Sequence, residues 1–347
     1  MDYFVNTEYI DLERRIDLIS LGLVAADGRE FYAISTEFDQ APANEFVRTV
    51  VIPQLEPHDD HVWMSRTAMK DALIEFIGDD QPTFWSWAAL PWDWMCMAQL
   101  FPLEQRVPDG WRYTAYDVSL LAEAAGMRLN PVDARLPQSP AAAHHALADA
   151  RWVRDTYRVL TSPSMCQRRT SWPANDLDGR PVRDFVIDAE FIESDDEIDL
   201  VSLAVVAADG AEFYAVAAEH DPTAANPFVR SNVLPKLEPA GHPAWMSRAA
   251  IRQGLLDFIG DAAPRFWSWG GLPYDWLVIA QLFDVEERVP DGWRYTGYDL
   301  TQLAAQQGFR IDPVDDQLPP FPDNGHHALA DARWAREVLT ALTPSGR

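Results

Sequence analysis

Cysteine is scarce: the 347-residue chain has two, Cys96 and Cys166, and neither belongs to a CxxC pair or a Cys/His cluster. That excludes a disulfide framework or a zinc knuckle as the organising device and leaves two plain thiols. Basic residues are few as well, 28 Lys and Arg against 54 Asp and Glu, for a net charge of −26. Such a surface repels a polyanion, so broad duplex binding is disfavoured. An enzyme that grips a few terminal nucleotides through bound cations remains open, because such ions dominate the local field. No apolar run approaches the roughly 20 residues of a membrane span. Met1 leads straight into a strand-like pattern, without the basic segment and apolar stretch of a secretory leader, so a cytoplasmic, non-membrane protein is expected. With 48% hydrophobic and 24% charged residues, the composition is that of a globular protein long enough for two domains.

An internal repeat decides the organisation. "VPDGWRYT" starts at 107 and again at 289, and "HHALADARW" at 144 and again at 326; both offsets are 182 residues (289 − 107 and 326 − 144). The same shift carries Asn6 to Asp188 and Asp93 to Asp275, which reads as a tandem duplication of a whole domain. Domains at 1–162 and 183–347 follow, joined by a linker at 163–182 in a Pro-containing stretch without apolar period. Arg168, Arg169, Arg180 and Arg183 in and beside it either touch an RNA backbone or are solvated or paired with nearby acids.

Within the second copy, "DFVIDAEFI", "EIDLVSLAVVAA" and "EFYAVAAE" read as three strands of an antiparallel meander, with "AADG" at 207–210 as a hairpin turn. "SRAAIRQGLLDFIG" reads as a helix with Ser247 as N-cap, Ile251, Leu255 and Phe258 on one face and Gly260 as its stop. "RFWSWG" reads as a further strand, "PYDWLVIAQLF" as a helix opened by Pro273, and "HHALADARWAREVLTAL" as a closing helix. Two tandem α/β domains are expected, each a mixed sheet flanked by helices.

Asp188 and Glu190 stand two apart on a strand, so their side chains share a face. An unpaired buried carboxylate pair costs several kcal/mol per ion, so either a hard divalent cation such as Mg²⁺ or Mn²⁺ neutralises it or the strand is an exposed edge with solvated acids. Asp275 at a helix start either serves the same site or only favours the helix dipole. Asp331 lies in a helix five residues after His326. A strand pair, a helix-start Asp and a His-x4-Asp in this order are more specific together than apart.

On these residues the chain resembles the DEDDh 3′–5′ exonucleases, whose domain has a ribonuclease H-like fold. The motifs are "DAE" (Asp188, Glu190), Asp275 in "YDW" and "HHALAD" (His326, Asp331). More narrowly, "DAEFIES", "EFYAV", "PFVRSNVLPKLEP" and "HHALADAR" resemble the RNase AS type, a small actinobacterial family of 3′–5′ exoribonucleases acting on adenosine-rich 3′ ends. The resemblance implies a two-metal hydrolase that releases nucleoside 5′-monophosphates from single-stranded RNA. Asp188 would bridge the two ions, Glu190 and Asp331 would complete one site, and Asp275 would serve the second. His326 is implied as general base, its ordinary pKa near about 6.5 suiting it to that role, and His327 is the weaker candidate. Phe191, Trp269 and Trp267 are candidates for stacking on a terminal base, although most of the 14 tryptophans are expected in the core.

The first copy keeps Glu8, Asp93, His144 and Asp149 but has Asn6 in place of Asp188, and Ala88 and Ala89 in place of Gly270 and Gly271. An uncharged amide bridges two cations poorly, and a Cβ obstructs close approach to the backbone. The first domain is therefore expected to be a degenerate partner, the pair reproducing within one chain the homodimer of RNase AS-like enzymes. Two other readings stand beside this one: a catalytically silent nucleic-acid- or protein-binding module, and a 3′–5′ exonuclease acting on single-stranded DNA.

Overall fold

The computed structural model describes every residue except 104–106, 113, 130–131, 167–175, 177–178, 195–196, 286–288, 295, 313 and 344–347. The chain divides into two compact units, Met1–Trp172 and Pro173–Arg347. In the first, strands β1 (Asp2–Asp11), β2 (Ile16–Ala25), β3 (Glu30–Ser35), β4 (Trp63–Met64), β5 (Thr83–Ser86) and β6 (Tyr116–Asp117) form one sheet in the order β4-β3-β2-β1-β5-β6. Helices α1 (Arg66–Ile77), α2 (Leu90–Ala98), α3 (Val118–Ala124), α4 (Ala146–Leu160) and α5 (Pro163–Cys166) accompany it.

The second unit has β7 (Val182–Glu193), β8 (Ile198–Ala207), β9 (Glu212–Ala217), β10 (Trp245–Met246), β11 (Ala263–Ser268) and β12 (Tyr298–Asp299) in the order β10-β9-β8-β7-β11-β12. Its helices are α6 (Pro227–Asn232), α7 (Arg248–Ile259), α8 (Leu272–Ala280), α9 (Leu300–Gln306) and α10 (Ala328–Leu342). β7, β8 and β9 pair antiparallel, whereas β10, β11 and β12 join in parallel, so each unit is a mixed α/β sheet with helices. The β8–β9 turn closes through Gly210 N donating to Ala207 O, with Gly210 at φ 92.

Local chemistry explains the ends of these elements. Ser247 caps α7 by accepting from the Ala250 amide, and Gly260, at φ 62, stops it. The buried face of α7 is Ile251, Leu255 and Ile259, while Phe258, expected on that face, is half-buried with its ring against Phe185 and Phe213. The α10 helix packs on β7 and β8 through small residues, Ala328 and Ala332 against Ala204 and Val206. β7 also carries a bulge between Glu190 and Phe191, as β1 does between Glu8 and Tyr9. A bulge bends the strand and re-aims the side chains beside it.

The stretch expected as a linker contains the α5 turn, and β7 begins at its last residue, Val182. Arg168 and Arg169 lie outside the described residues. Arg180 pairs with Asp176 at 2.6 Å and Arg183 with Asp209 at 2.8 Å. The tryptophans are mainly core: Trp92, Trp94, Trp267 and Trp276 are among the largest fully buried side chains. Among the described residues, no helix is long and apolar enough to cross a membrane.

Candidate active site

Four carboxylates of the second unit come from three elements. β7 supplies Asp188 and Glu190, the first turn of α8 supplies Asp275, and the first turn of α10 supplies Asp331. Ligand atoms of Glu190, His326 and Asp331 all lie within 4.8 Å of one another. Asp275 is 3% exposed, and its oxygens accept from the Ala189 amide at 2.9 Å and from the Ser268 hydroxyl. Its place at a helix start thus serves β7 as well as the helix dipole. Asp331 Oδ2 accepts from the His326 amide at 2.7 Å, while Asp331 Oδ1 is buried without a hydrogen-bond partner among the described residues.

Burial, first, raises all four acids above the ordinary carboxylate range, and neighbouring carboxylates add to it for Asp188, Glu190 and Asp275. Asp188 is raised by burial and then by the charges of Asp275, Glu190 and Asp331. Glu190 is pushed up to about 8 by burial, Asp331 and Asp275. Asp275 rises to about 7 through burial, although the bonds from Ser268 and Ala189 pull it down. Asp331 is also raised by burial and pulled back by the His326 amide. Such a set is costly without cations, and hard divalent ions are what acidic oxygens select.

His326 is exposed and sits at φ 65, a left-handed conformation uncommon outside glycine. Its amide bond to Asp331 holds that conformation, tying the histidine to an acid of the cluster. The neighbouring His327 is instead the residue before α10, stacked on Tyr214 with ring centroids 5.2 Å apart. Phe191 is half-buried and stacks on Tyr274, centroids 4.8 Å apart and planes 4° apart. Trp269 packs edge-on against Trp334 at 5.1 Å. Trp267, 0% exposed, donates from its indole to Asp184 at 2.7 Å, so it is a core residue and no base reaches it.

Three contributors do not stand out in the sequence. Ser268 bonds Asp275 from seven residues earlier. Lys236, at the end of the Leu234–Lys236 turn, donates to Gly325 O, and its charge draws down both Glu190 and Asp331. Phe228, at the start of α6, stands edge-on to the His326 ring with centroids 4.9 Å apart. The 182-residue offset holds a signal for one of them, since Gln54 replaces Lys236 in the first copy.

The first unit has the same framework with altered chemistry. Glu8, His144 and Asp149 again place ligand atoms within 4.8 Å of one another, and His144 is at φ 67. Asn6 Oδ1 is buried without a hydrogen-bond partner among the described residues. Asp93 accepts from the Thr7 amide at 2.8 Å, from the Thr7 hydroxyl at 2.7 Å and from Ser86, one bond more than Asp275 receives from Ala189 and Ser268. Ala88 sits at φ 54, where the second unit has Gly270 at φ 68. A Cβ on Gly271 would lie 3.0 Å from Asp275 Oδ2, so the glycine makes room for the carboxylate itself.

A mixed α/β domain with clustered acids and an adjoining histidine is thus present in both units, with Asn6 in the first where Asp188 stands in the second. Residues 183–343 match the 3′–5′ exoribonuclease Rv2179c-like domain. The chain is 39% identical over 166 residues to the 3′–5′ exoribonuclease Rv2179c of Mycobacterium tuberculosis (strain ATCC 25618 / H37Rv), a match covering 47% of this chain and 94% of that protein. The 3′–5′ exoribonuclease MT2234.1 of M. tuberculosis (strain CDC 1551 / Oshkosh) matches with the same figures, 39%, 47% and 94%. The chain therefore belongs to the Rv2179c-like 3′–5′ exoribonuclease family. Two exonuclease I structures are also similar. One is 9% identical over 60% of this chain and 55% of the other, with a TM-score of 0.35. The second, from Methylocaldum szegediense, is 12% identical over 69% and 60%, with a TM-score of 0.37.

Proposed function

We propose that the second unit is a metal-dependent 3′–5′ exoribonuclease of the DEDDh type, releasing nucleoside 5′-monophosphates from single-stranded, preferentially adenosine-rich RNA 3′ ends. In this reading its fold is ribonuclease H-like, the two units arose by tandem duplication, and the first has lost turnover. The supporting observation is the convergence of Glu190, His326 and Asp331 within 4.8 Å, inside the stretch that matches the exoribonuclease domain.

The donor set fits hard divalent cations: acids whose protonation burial favours, with Asp331 Oδ1 buried and without a partner among the described residues. Asp188, Glu190, Asp275 and Asp331 would hold two Mg²⁺ or Mn²⁺ ions, which when bound neutralise charge on the phosphate and on the attacking and leaving oxygens. The protein's own part is placement and proton transfer. The Ala189 amide and Ser268 fix the Asp275 carboxylate, and Lys236 holds the Gly325 carbonyl next to His326. His326 is exposed and free to take the proton of the attacking water. As the water oxygen bonds to phosphorus the P–O3′ bond breaks, the 3′ oxygen leaving on the shortened RNA and taking up a proton from solvent, and the phosphate leaving on the released nucleotide.

The test follows a 5′-labelled oligo(A) RNA and its DNA counterpart with Mg²⁺ or Mn²⁺. A ladder shortening from the RNA 3′ end, slowed at least about a hundredfold by Asp188→Asn, is expected, since even outer-shell partners of a metal are worth about 10- to 100-fold. Equal rates on DNA would remove the RNA assignment, and no shortening of either would favour a binding module.

A further inference from the structure

Among the described residues five large apolar side chains are exposed, and three of them stand beside the two histidine loops: Phe46, Phe228 and Phe321, at 47%, 51% and 47% exposure. Phe46 and Phe228 are counterparts, each edge-on to its histidine, at 4.8 Å from His144 and 4.9 Å from His326. Phe321 belongs to the second unit alone, because the 182-residue offset places Ser139 at its position in the first.

Phe321 is seated rather than loose. Its ring lies 4.8 Å from Trp334, and the Trp334 indole donates to Pro319 O at 2.9 Å. It packs closely over a glycine: a Cβ on Gly325 would come within 2.3 Å of the Phe321 ring in its present position. The first unit has Ala143 there, so ring and glycine are replaced together. Gly325 directly precedes His326, so the ring packs against the backbone that carries the histidine. Among the described residues, this ring, held half in water, has no packing partner on its open side.

We propose that Phe321, with Phe228 edge-on to the neighbouring His326, forms a stacking platform for an unpaired nucleobase at the 3′ end of the RNA, a device absent from the first unit, which has Ser139 and Ala143. A flat apolar face suits this occupant because every base offers a π-face, and stacking needs no basic groove in so acidic a protein. The inference rests on the exoribonuclease reading of the same site, and the test separates the two.

Initial rates on oligo(A) RNA are compared for the full chain, Phe321→Ser, Phe321→Trp and Phe228→Ala, with a normal and with an abasic 3′-terminal nucleotide. The Phe321→Ser variant, which restores the first unit's residue, is expected to raise KM roughly 5- to 100-fold with little change in kcat. Phe321→Trp should keep the parent KM, and on the abasic substrate parent and Phe321→Ser should converge. If the parent degrades RNA but Phe321→Ser leaves KM unchanged, or the difference persists on the abasic end, the platform is wrong. A parent without activity on any RNA overturns the exoribonuclease reading and this inference with it. The unfolding midpoint of each variant shows whether the change stays local.

Discussion

Asp275 and Asp93 show how little separates a usable carboxylate from a tied one. Asp275 accepts from Ala189 N and Ser268, whereas Asp93 accepts one bond more, from the Thr7 hydroxyl, and the first unit has Ala89 in place of Gly271. Removing the Ser268 hydroxyl should let the Asp275 carboxylate rotate. We expect Ser268→Ala to weaken Mn²⁺ binding by about 10- to 100-fold, measured by titration calorimetry, with the fold intact. Unchanged affinity would mean that Ser268 only satisfies a buried acid. At this scale the meeting of Glu190, His326 and Asp331 was legible because each belongs to a short motif. Ser268, Lys236 and Phe321 were not, since their roles come from contacts that the fold creates: Lys236 reaches Gly325 across 89 positions.

Between elements, the two units differ in how closely the last helix approaches the sheet. At Gly22 an added Cβ would lie 2.5 Å from the backbone of Ala146, whereas the second unit carries Ala204 at that point, packed with Ala328. The α4 helix of the first unit is seated onto β2 in a way that excludes even a methyl group. Gly22→Ala, although it copies the second unit's own residue, should therefore destabilise the first by about 1–3 kcal/mol, the usual cost of overpacking. Denaturant unfolding of the variant against the parent checks this, and a neutral result would show that α4 shifts freely. The long strands and helices were legible because periodicity, Ser247, Gly260 and Pro273 mark them. The two-residue strands β4, β6, β10 and β12 were not, since a run of two carries no period and exists only because a neighbouring strand pairs with it. The close approach at Gly22 is likewise a property of packing, invisible in one copy read alone.

For the whole molecule, a net charge of −26 with buried acids in both units makes stability depend on pH and on cations together. Burial first, then neighbouring carboxylates, pushes Glu190 up to about 8 and Glu8 up to about 9. Burial likewise raises Asp275 and Asp93 to about 7. In the unfolded chain these groups return to ordinary values of 4.5 for Glu and 3.8 for Asp. Between the two sets of values the folded protein holds protons that the unfolded chain releases, so unfolding becomes easier as pH rises. This contribution is complete below about pH 4 and is lost progressively by about pH 8 to 9. Divalent cations need the deprotonated acids, so their stabilisation should grow over the same window as they displace those protons. The metal-free protein is thus expected to melt lower at pH 8 than at pH 5.5, by about 5–10 °C for a few kcal/mol, and saturating Mn²⁺ should recover most of the difference. Asp188→Asn should reduce the recovery by removing a charged ligand from the second unit. Scanning calorimetry at the two pH values, with and without Mn²⁺, decides the matter. A metal-free midpoint that does not fall with pH would mean that water or rearrangement already solvates these acids, and that the cluster carries no strain for a cation to relieve.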